Sequence, residues 1–158
     1  MKNISYISNF EEWKNEFNFS IRIKVRFAET DMFGHVNNTT AFTYFEEGRL
    51  EFFKKIGIMR DWMSRDSELI PVVADLQCDY LSQIYFDDVL QVFVKMNKVG
   101  RTSVELHYLV KKENGTVAYT GRGTIVQINK ETGRPEEWKE HWKELLYNQS
   151  SEKQPVRT

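Results

Sequence analysis

Asp31 lies in the stretch VRFAETDMFGHVNNTTAFTYFEEGRLEFF, residues 25–53, just ahead of Gly34, His35, Val36, Asn37, Asn38 and Thr39. A helical pattern begins where the two asparagines stand. The first turn of a helix presents backbone N–H groups that have no intrahelical partner, and the dipole makes that end positive. Asparagine and threonine suit the position because their side-chain oxygens cap such a turn. Gly34 gives the loop freedom to fold back, which would set Asp31 beside those donors. A carbonyl oxygen aimed at the helix start is then polarised as in an oxyanion hole. The carboxylate can attack the carbon directly or take a proton from water. Together these are parts for hydrolysing an activated acyl group. A plainer role is also open: Asp31 orders the turn and Asn37 caps the helix, since Asp and Asn are ordinary loop residues. Spacing alone favours the plainer role.

The elements that must position this loop follow from periodicity. Ahead of it, Ile21, Ile23, Val25 and Phe27 alternate with Arg22, Lys24 and Arg26, the period of a half-buried strand. After it, from about Asn38 to Ile56, the apolar residues Ala41, Phe42, Phe45, Phe52, Phe53 and Ile56 recur at helical spacing. Glu51 and Lys55 form an i,i+4 pair on the opposite side, and Gly57 is a stop. Aromatic residues around much of the circumference predict a largely buried helix. Gly48 inside it costs roughly 1 kcal/mol against alanine, so it either packs closely against a sheet or ligand or is simply tolerated. MRDWMSRDSE reads as a short second helix or a loop. PVVADLQCDYL, DVLQVFVKMNKVG, RTSVELHYLVKK and VAYTGRGTIVQIN read as strands, with Asn114-Gly115 as a hairpin turn. Gly121 and Gly123 suggest a bend or a close backbone approach. RPEEWKEHWKELLYN predicts a polar C-terminal helix, and QSSEKQPVRT a loose tail. One strand, a long hydrophobic helix and then several strands predict an α+β fold with an antiparallel sheet wrapped around the helix.

Composition bounds the partners. The 158 residues fit one domain, with 41% hydrophobic and 14% aromatic residues for its core. The 22 basic and 23 acidic residues leave a net charge of -1, which gives no general pull toward nucleic acid or an anionic membrane. Cys78 is the single cysteine, so no intrachain disulfide is possible. His35, His107 and His141 are far apart and match no zinc spacing, and no metal is expected. The opening MKNISYISNFEEWKNEF lacks a long apolar run, and no segment is long enough to cross a bilayer, so a cytoplasmic location is expected.

ETDMFGHVNN followed by YFEEGRLEFF resembles the signature of hotdog-fold acyl-CoA thioesterases of the 4-hydroxybenzoyl-CoA thioesterase-like group. The likeness continues through PVVADLQCDYLSQIYFDDVL, VKMNKVGRTSVELHYLV and GRGTIVQINKETGRP, covering roughly residues 20–135 in the family's order. It implies a long helix wrapped by an antiparallel sheet, and subunits that pair edge to edge as homodimers or homotetramers with active sites at the interface. It implies that Asp31 is the catalytic aspartate. Gly34, His35, Val36, Asn37 and Asn38 match the loop entering the helix, with Asn38 and Thr39 as donors to the thioester oxygen. Phe42 and Phe45 would shape the acyl tunnel. Many relatives carry a tyrosine where this chain has Ala41, a departure that would enlarge or reshape the acyl pocket.

The other polar candidates divide by role. His35 either assists proton transfer or holds the loop by hydrogen bonding. Glu46 and Glu47 read as supporting or solvated groups. Asp75 either faces a site from a partner subunit or makes a cross-strand ion pair, and Cys78 is a small buried apolar residue. Lys98 and Arg101, with Lys111, Lys112 and Arg122, are candidates for the CoA phosphates. The expected function is hydrolysis of an acyl-CoA to free acid and CoA, with CoA entering as substrate and no separate cofactor. Two alternatives are a hotdog-fold hydratase or dehydratase of acyl thioesters and an acyl-thioester-binding protein without turnover.

Overall fold

Alternation along the strands sets which residues meet the long helix. The computed structural model describes residues 3–152. In chain order it contains α1 (Phe10–Asn15), β1 (Phe19–Lys24), α2 (Thr40–Ile56), α3 (Ile58–Trp62), β2 (Leu69–Tyr80), β3 (Val89–Val99), β4 (Ser103–Lys112), β5 (Val117–Asn129) and α4 (Glu140–Gln149). The five strands form one antiparallel sheet in the order β1-β3-β4-β5-β2, which leaves β1 and β2 at the edges. This is the α+β hotdog arrangement.

One face of the sheet is apolar. Val92, Val94 and Met96 of β3 stand opposite Val110, Tyr108 and Leu106 of β4, and all six are buried. Against them α2 lays Ala41, Tyr44, Phe45, Gly48, Phe52 and Phe53. Gly48 is there because the sheet comes close: a Cβ at that position would lie 2.8 Å from Val94 Cγ2. At Gly121 of β5 a Cβ would lie 2.5 Å from the Phe45 ring, which stacks on Tyr108 at 4.4 Å. Both glycines let the helix settle onto the strands.

The opposite face carries a polar network covered by the N-terminal segment. Trp13 of α1 donates from Nε1 to His107 Nδ1 at 2.8 Å, and His107 Nε2 meets Glu105 at 2.7 Å. Arg122 links Glu105 to Asp75, the cross-strand ion pair expected of that aspartate. Lys95 is buried and pairs with Glu16, while Tyr6 donates to Thr120 at 3.1 Å.

Several boundaries depart from expectation. The long helix starts at Thr40 rather than about Asn38, because Asn37 Oδ1 accepts from the Thr39 amide and holds a turn ahead of it. Glu51 pairs with Lys54 at 2.8 Å, not with Lys55, whose ammonium lies over the Phe19 ring. The C-terminal helix begins at Glu140; residues 134–139 are not helical, with Pro135 bridged to Ile128 and Trp138 donating from Nε1 to Gly100 O at 3.0 Å. Of the expected loose tail, Ser150 is buried and bridges Met96, and the Ser151 and Glu152 amides bond to Met96 and Asn97 carbonyls. The rest of that tail lies outside the described residues.

Candidate functional site

The loop between β1 and α2 folds as a miniature hairpin. The Asp31 amide donates to His35 O at 2.7 Å, Thr30 bridges Val36, and the Asn37 amide donates to Glu29 O at 2.9 Å. Gly34 supplies the turn with φ +79, in the left-handed region. Buried Val36 anchors the returning limb by donating to Ile84 O at 2.7 Å. The ring of His35 packs against Tyr85 at 5.1 Å, which gives that histidine a loop-holding contact.

Asp31 sits near the tip of this hairpin. Its Oδ1 accepts from the Phe33 amide at 2.8 Å and from the His35 amide at 3.2 Å. The carboxylate therefore does order the turn. The amides of Asn38 and Thr39 are not among its partners: they lie beyond the base of the hairpin, not beside its tip. Local amides captured one carboxylate oxygen because they are two and four residues away. Oδ2 has no hydrogen-bond partner among the described residues, and the side chain is exposed. A carboxylate ordered through one oxygen and open to water through the other retains a lone pair for proton abstraction or attack.

At the helix start, Thr40 donates to Asn37 O at 2.9 Å and Phe42 to Thr39 O at 3.2 Å. The Thr39 amide has only a long contact, 3.3 Å, to Asn37 Oδ1, and the Asn38 amide has no partner among the described residues. The Asn38 carbonyl accepts a 2.6 Å hydrogen bond from the Tyr80 hydroxyl at the end of β2. Tyr80 in turn meets the Tyr119 ring edge-on at 5.2 Å. Phe42 is half-buried and meets Phe45 at 6.1 Å, while Ala41 is fully buried. Tyr44 ties the helix to the loop by donating to Glu29 at 3.2 Å, and burial pushes its hydroxyl well above the usual tyrosine range.

The remaining candidates fall elsewhere. The β1–β3 register sets Val89 opposite Lys24, just before the loop, so Lys98 and Arg101 at the other end of β3 are remote from Asp31 within one chain. Arg101 is moreover paired with Glu137 through Nε at 3.1 Å. Lys112 lies nearer the loop, 3.4 Å from Asp88 and over the Tyr85 ring. Glu46 pairs with Arg49 at 3.4 Å, and Cys78 is half-buried against the core. Sequence reasoning missed Tyr80, Tyr85 and Glu29. The signal was present in Tyr80, an aromatic residue closing a strand, but its partner 42 residues away was not readable.

Among the described residues no helix is long and apolar enough to cross a membrane. Residues 25–146 match the family model of the thioesterase-like superfamily. Over 147 residues the chain is 44% identical to the uncharacterized protein YsmA of Bacillus subtilis, covering 92% of this chain and 97% of that protein. It is similar to DHNA-CoA thioesterase from Staphylococcus aureus, with TM-score 0.72 and 26% identity over 80% of this chain and 86% of the other. A thioesterase from Thermus thermophilus, complexed with coenzyme A and Zn, shares 31% identity at TM-score 0.71, covering 87% and 98% of the two chains.

Proposed function

The chain belongs to the thioesterase-like superfamily, and on that premise we propose that it hydrolyses an acyl-CoA to the free acid and CoA. Asp31 is the general base or the nucleophile, and the Asn38 and Thr39 amides receive the thioester oxygen as negative charge builds on it. Water oxygen adds to the acyl carbon, directly or after an Asp31 acyl intermediate; the C–S bond breaks and the thiolate of CoA takes up a proton. The carbonyl is polarised by backbone amides, so this reading assigns no step to a metal. One observation carries it: a single loop holds both a carboxylate with a spare oxygen and a helix-start amide with no partner.

The acyl group lies along half-buried Phe42, which fully buried Phe45 backs from within the core, with Gly34, His35, Val36 and Asn37 shaping the loop above it. CoA as the carrier is supported by the likeness to the Thermus thermophilus thioesterase complexed with it. A second copy of the chain completes the site, as a homodimer or within a homotetramer. Two features support that. β2 is a 12-residue edge strand with unpaired backbone groups. Around Asp31, Met32 is 90% exposed and Phe27 and Phe33 are each 75% exposed, an apolar tip that a partner would cover. Lys98 and Arg101, at the far end of their own sheet, would reach CoA phosphates only from a neighbouring subunit.

The test is incubation with acyl-CoAs of varied length and aromaticity, reading both free thiol and thioester products. Thiol release from at least one class supports the proposal. A hydrated or dehydrated thioester without thiol release contradicts it, as does binding without turnover across the panel. The contact of the His35 ring with Tyr85, with no acid among its partners in the described residues, argues against hydratase chemistry.

A further inference from the structure

We propose that Tyr80 is a positioning residue for the hydrolysis, acting through the Asn38 carbonyl on the peptide whose N–H belongs to Thr39. The inference rests on the assignment of that amide as an oxyanion donor. The Tyr80 hydroxyl lies 2.6 Å from Asn38 O, the shortest contact made to the helix start. Donation to a peptide carbonyl draws electron density toward oxygen and leaves the N–H of the same peptide a stronger donor. It also fixes the plane of that peptide. The Thr39 amide is otherwise held only at 3.3 Å by Asn37 Oδ1, a bond weak enough to be exchanged for a thioester oxygen.

Tyr80 is well built for this work. It closes β2 opposite Tyr119 in the β5 register, and the two rings meet at right angles, within a few degrees. That contact restricts the swing of the phenol. Burial raises its hydroxyl to about 12, so it remains a proton donor throughout the neutral range. Because Tyr80 stands on an edge strand, the donor geometry at α2 is tied to one of the sheet's two open edges.

The experiment compares wild type, Tyr80→Phe and Asp31→Asn in steady-state thiol release from an acyl-CoA that wild type hydrolyses. Melting temperatures and backbone amide spectra are recorded on the same samples. Loss of one tuned hydrogen bond should lower kcat about tenfold in Tyr80→Phe with KM changed less than about twofold. The melting temperature should hold, and amide shifts should be confined to Asn38, Thr39 and their neighbours. A raised KM at full kcat would make Tyr80 a substrate contact and overturn the proposal. So would a lowered melting temperature with shifts spread through the sheet. Full kcat in Tyr80→Phe beside an inactive Asp31→Asn refutes the Tyr80 assignment alone. An undiminished Asp31→Asn refutes the role of Asp31, and failure to find any acyl-CoA from which wild type releases thiol refutes the underlying hydrolysis reading and the Tyr80 assignment with it.

Discussion

Two polar clusters, one on the loop ahead of α2 and one on the outer face of the sheet, are built differently. At the loop tip, Asp31 takes its hydrogen bonds from Phe33 and His35, both within four residues, and leaves one oxygen to solvent. On the outer face of the sheet, His107 is 1% exposed and uses both ring nitrogens, toward Trp13 at one side and Glu105 at the other. Indole nitrogen only donates, so His107 Nδ1 accepts and Nε2 carries the proton toward Glu105. A buried polar group without partners is expensive, which explains why the outer cluster is saturated. The loop carboxylate escapes that demand by remaining in water. Its second oxygen keeps its lone pairs free, as the proposed chemistry requires. Saturation suits the outer cluster to clasping the N-terminal segment, and openness is what the proposed chemistry requires of the loop.

The two clusters should therefore break separately. His107→Ala leaves the Trp13 N–H unpaired and opens a cavity, which should lower stability by about 3 kcal/mol in a urea titration. Its kcat per folded molecule should match wild type; a lost kcat in a stable protein would show the faces to be coupled. Gly48→Ala tests the seam between them. The added methyl meets Val94 and Val92, and overpacking of that kind costs about 1–3 kcal/mol. Here the long helix moves, so kcat should fall along with the denaturation midpoint.

Acid should act on the outer cluster first. Burial holds the His107 imidazole below its ordinary value of 6.5, against the pull of Glu105 and assisted by Lys95 and Arg122. Glu105 is itself held below 4.5, chiefly by its hydrogen bond to His107 and then by Arg122. Tyr6 and Trp13 complete the surroundings of the ring and bring no charge at this pH. In both cases the unfolded chain binds more protons than the folded one, so stability rises with pH. The His107 contribution is whole above about 6.5 and is lost as pH falls below it; Glu105 adds a further loss below about 4.5. Urea midpoints followed from about pH 8 to about pH 5 should decline, and His107→Gln should flatten the decline. Smallest of all, Arg101→Ala removes an exposed ion pair with Glu137 and should leave the melting temperature unchanged.

The same contrast explains what could be read from sequence. The turn is legible because its bonds are local, with Asp31, Gly34 and Asn37 standing where it needs them, but the same local bonds take Asp31 away from its expected place beside the helix-start amides. The central helix is legible from its periodic aromatics, and for Gly48 and Gly121 close approach is one of two readings, the one the structure selects. The outer clasp was not legible. His107 and Trp13 are 94 residues apart, and only the β3–β4–β5 register brings Lys95, His107 and Arg122 into one row. For the same reason Tyr80 is not legible as a site residue: its partner Asn38 stands 42 residues away. Lys98 and Arg101 are candidates by charge, and antiparallel geometry sends them to the end of the sheet away from Asp31 of their own chain.

The central claim is that Asp31 does chemistry beyond ordering its turn, and Asp31→Asn separates the two roles. The amide oxygen of asparagine can accept the same bonds from Phe33 and His35, so the loop and the melting temperature should be preserved. Thiol release from a hydrolysed acyl-CoA, measured on that same sample, should fall by about a hundredfold to ten-thousandfold. Release at the wild-type rate from the intact variant would contradict the account.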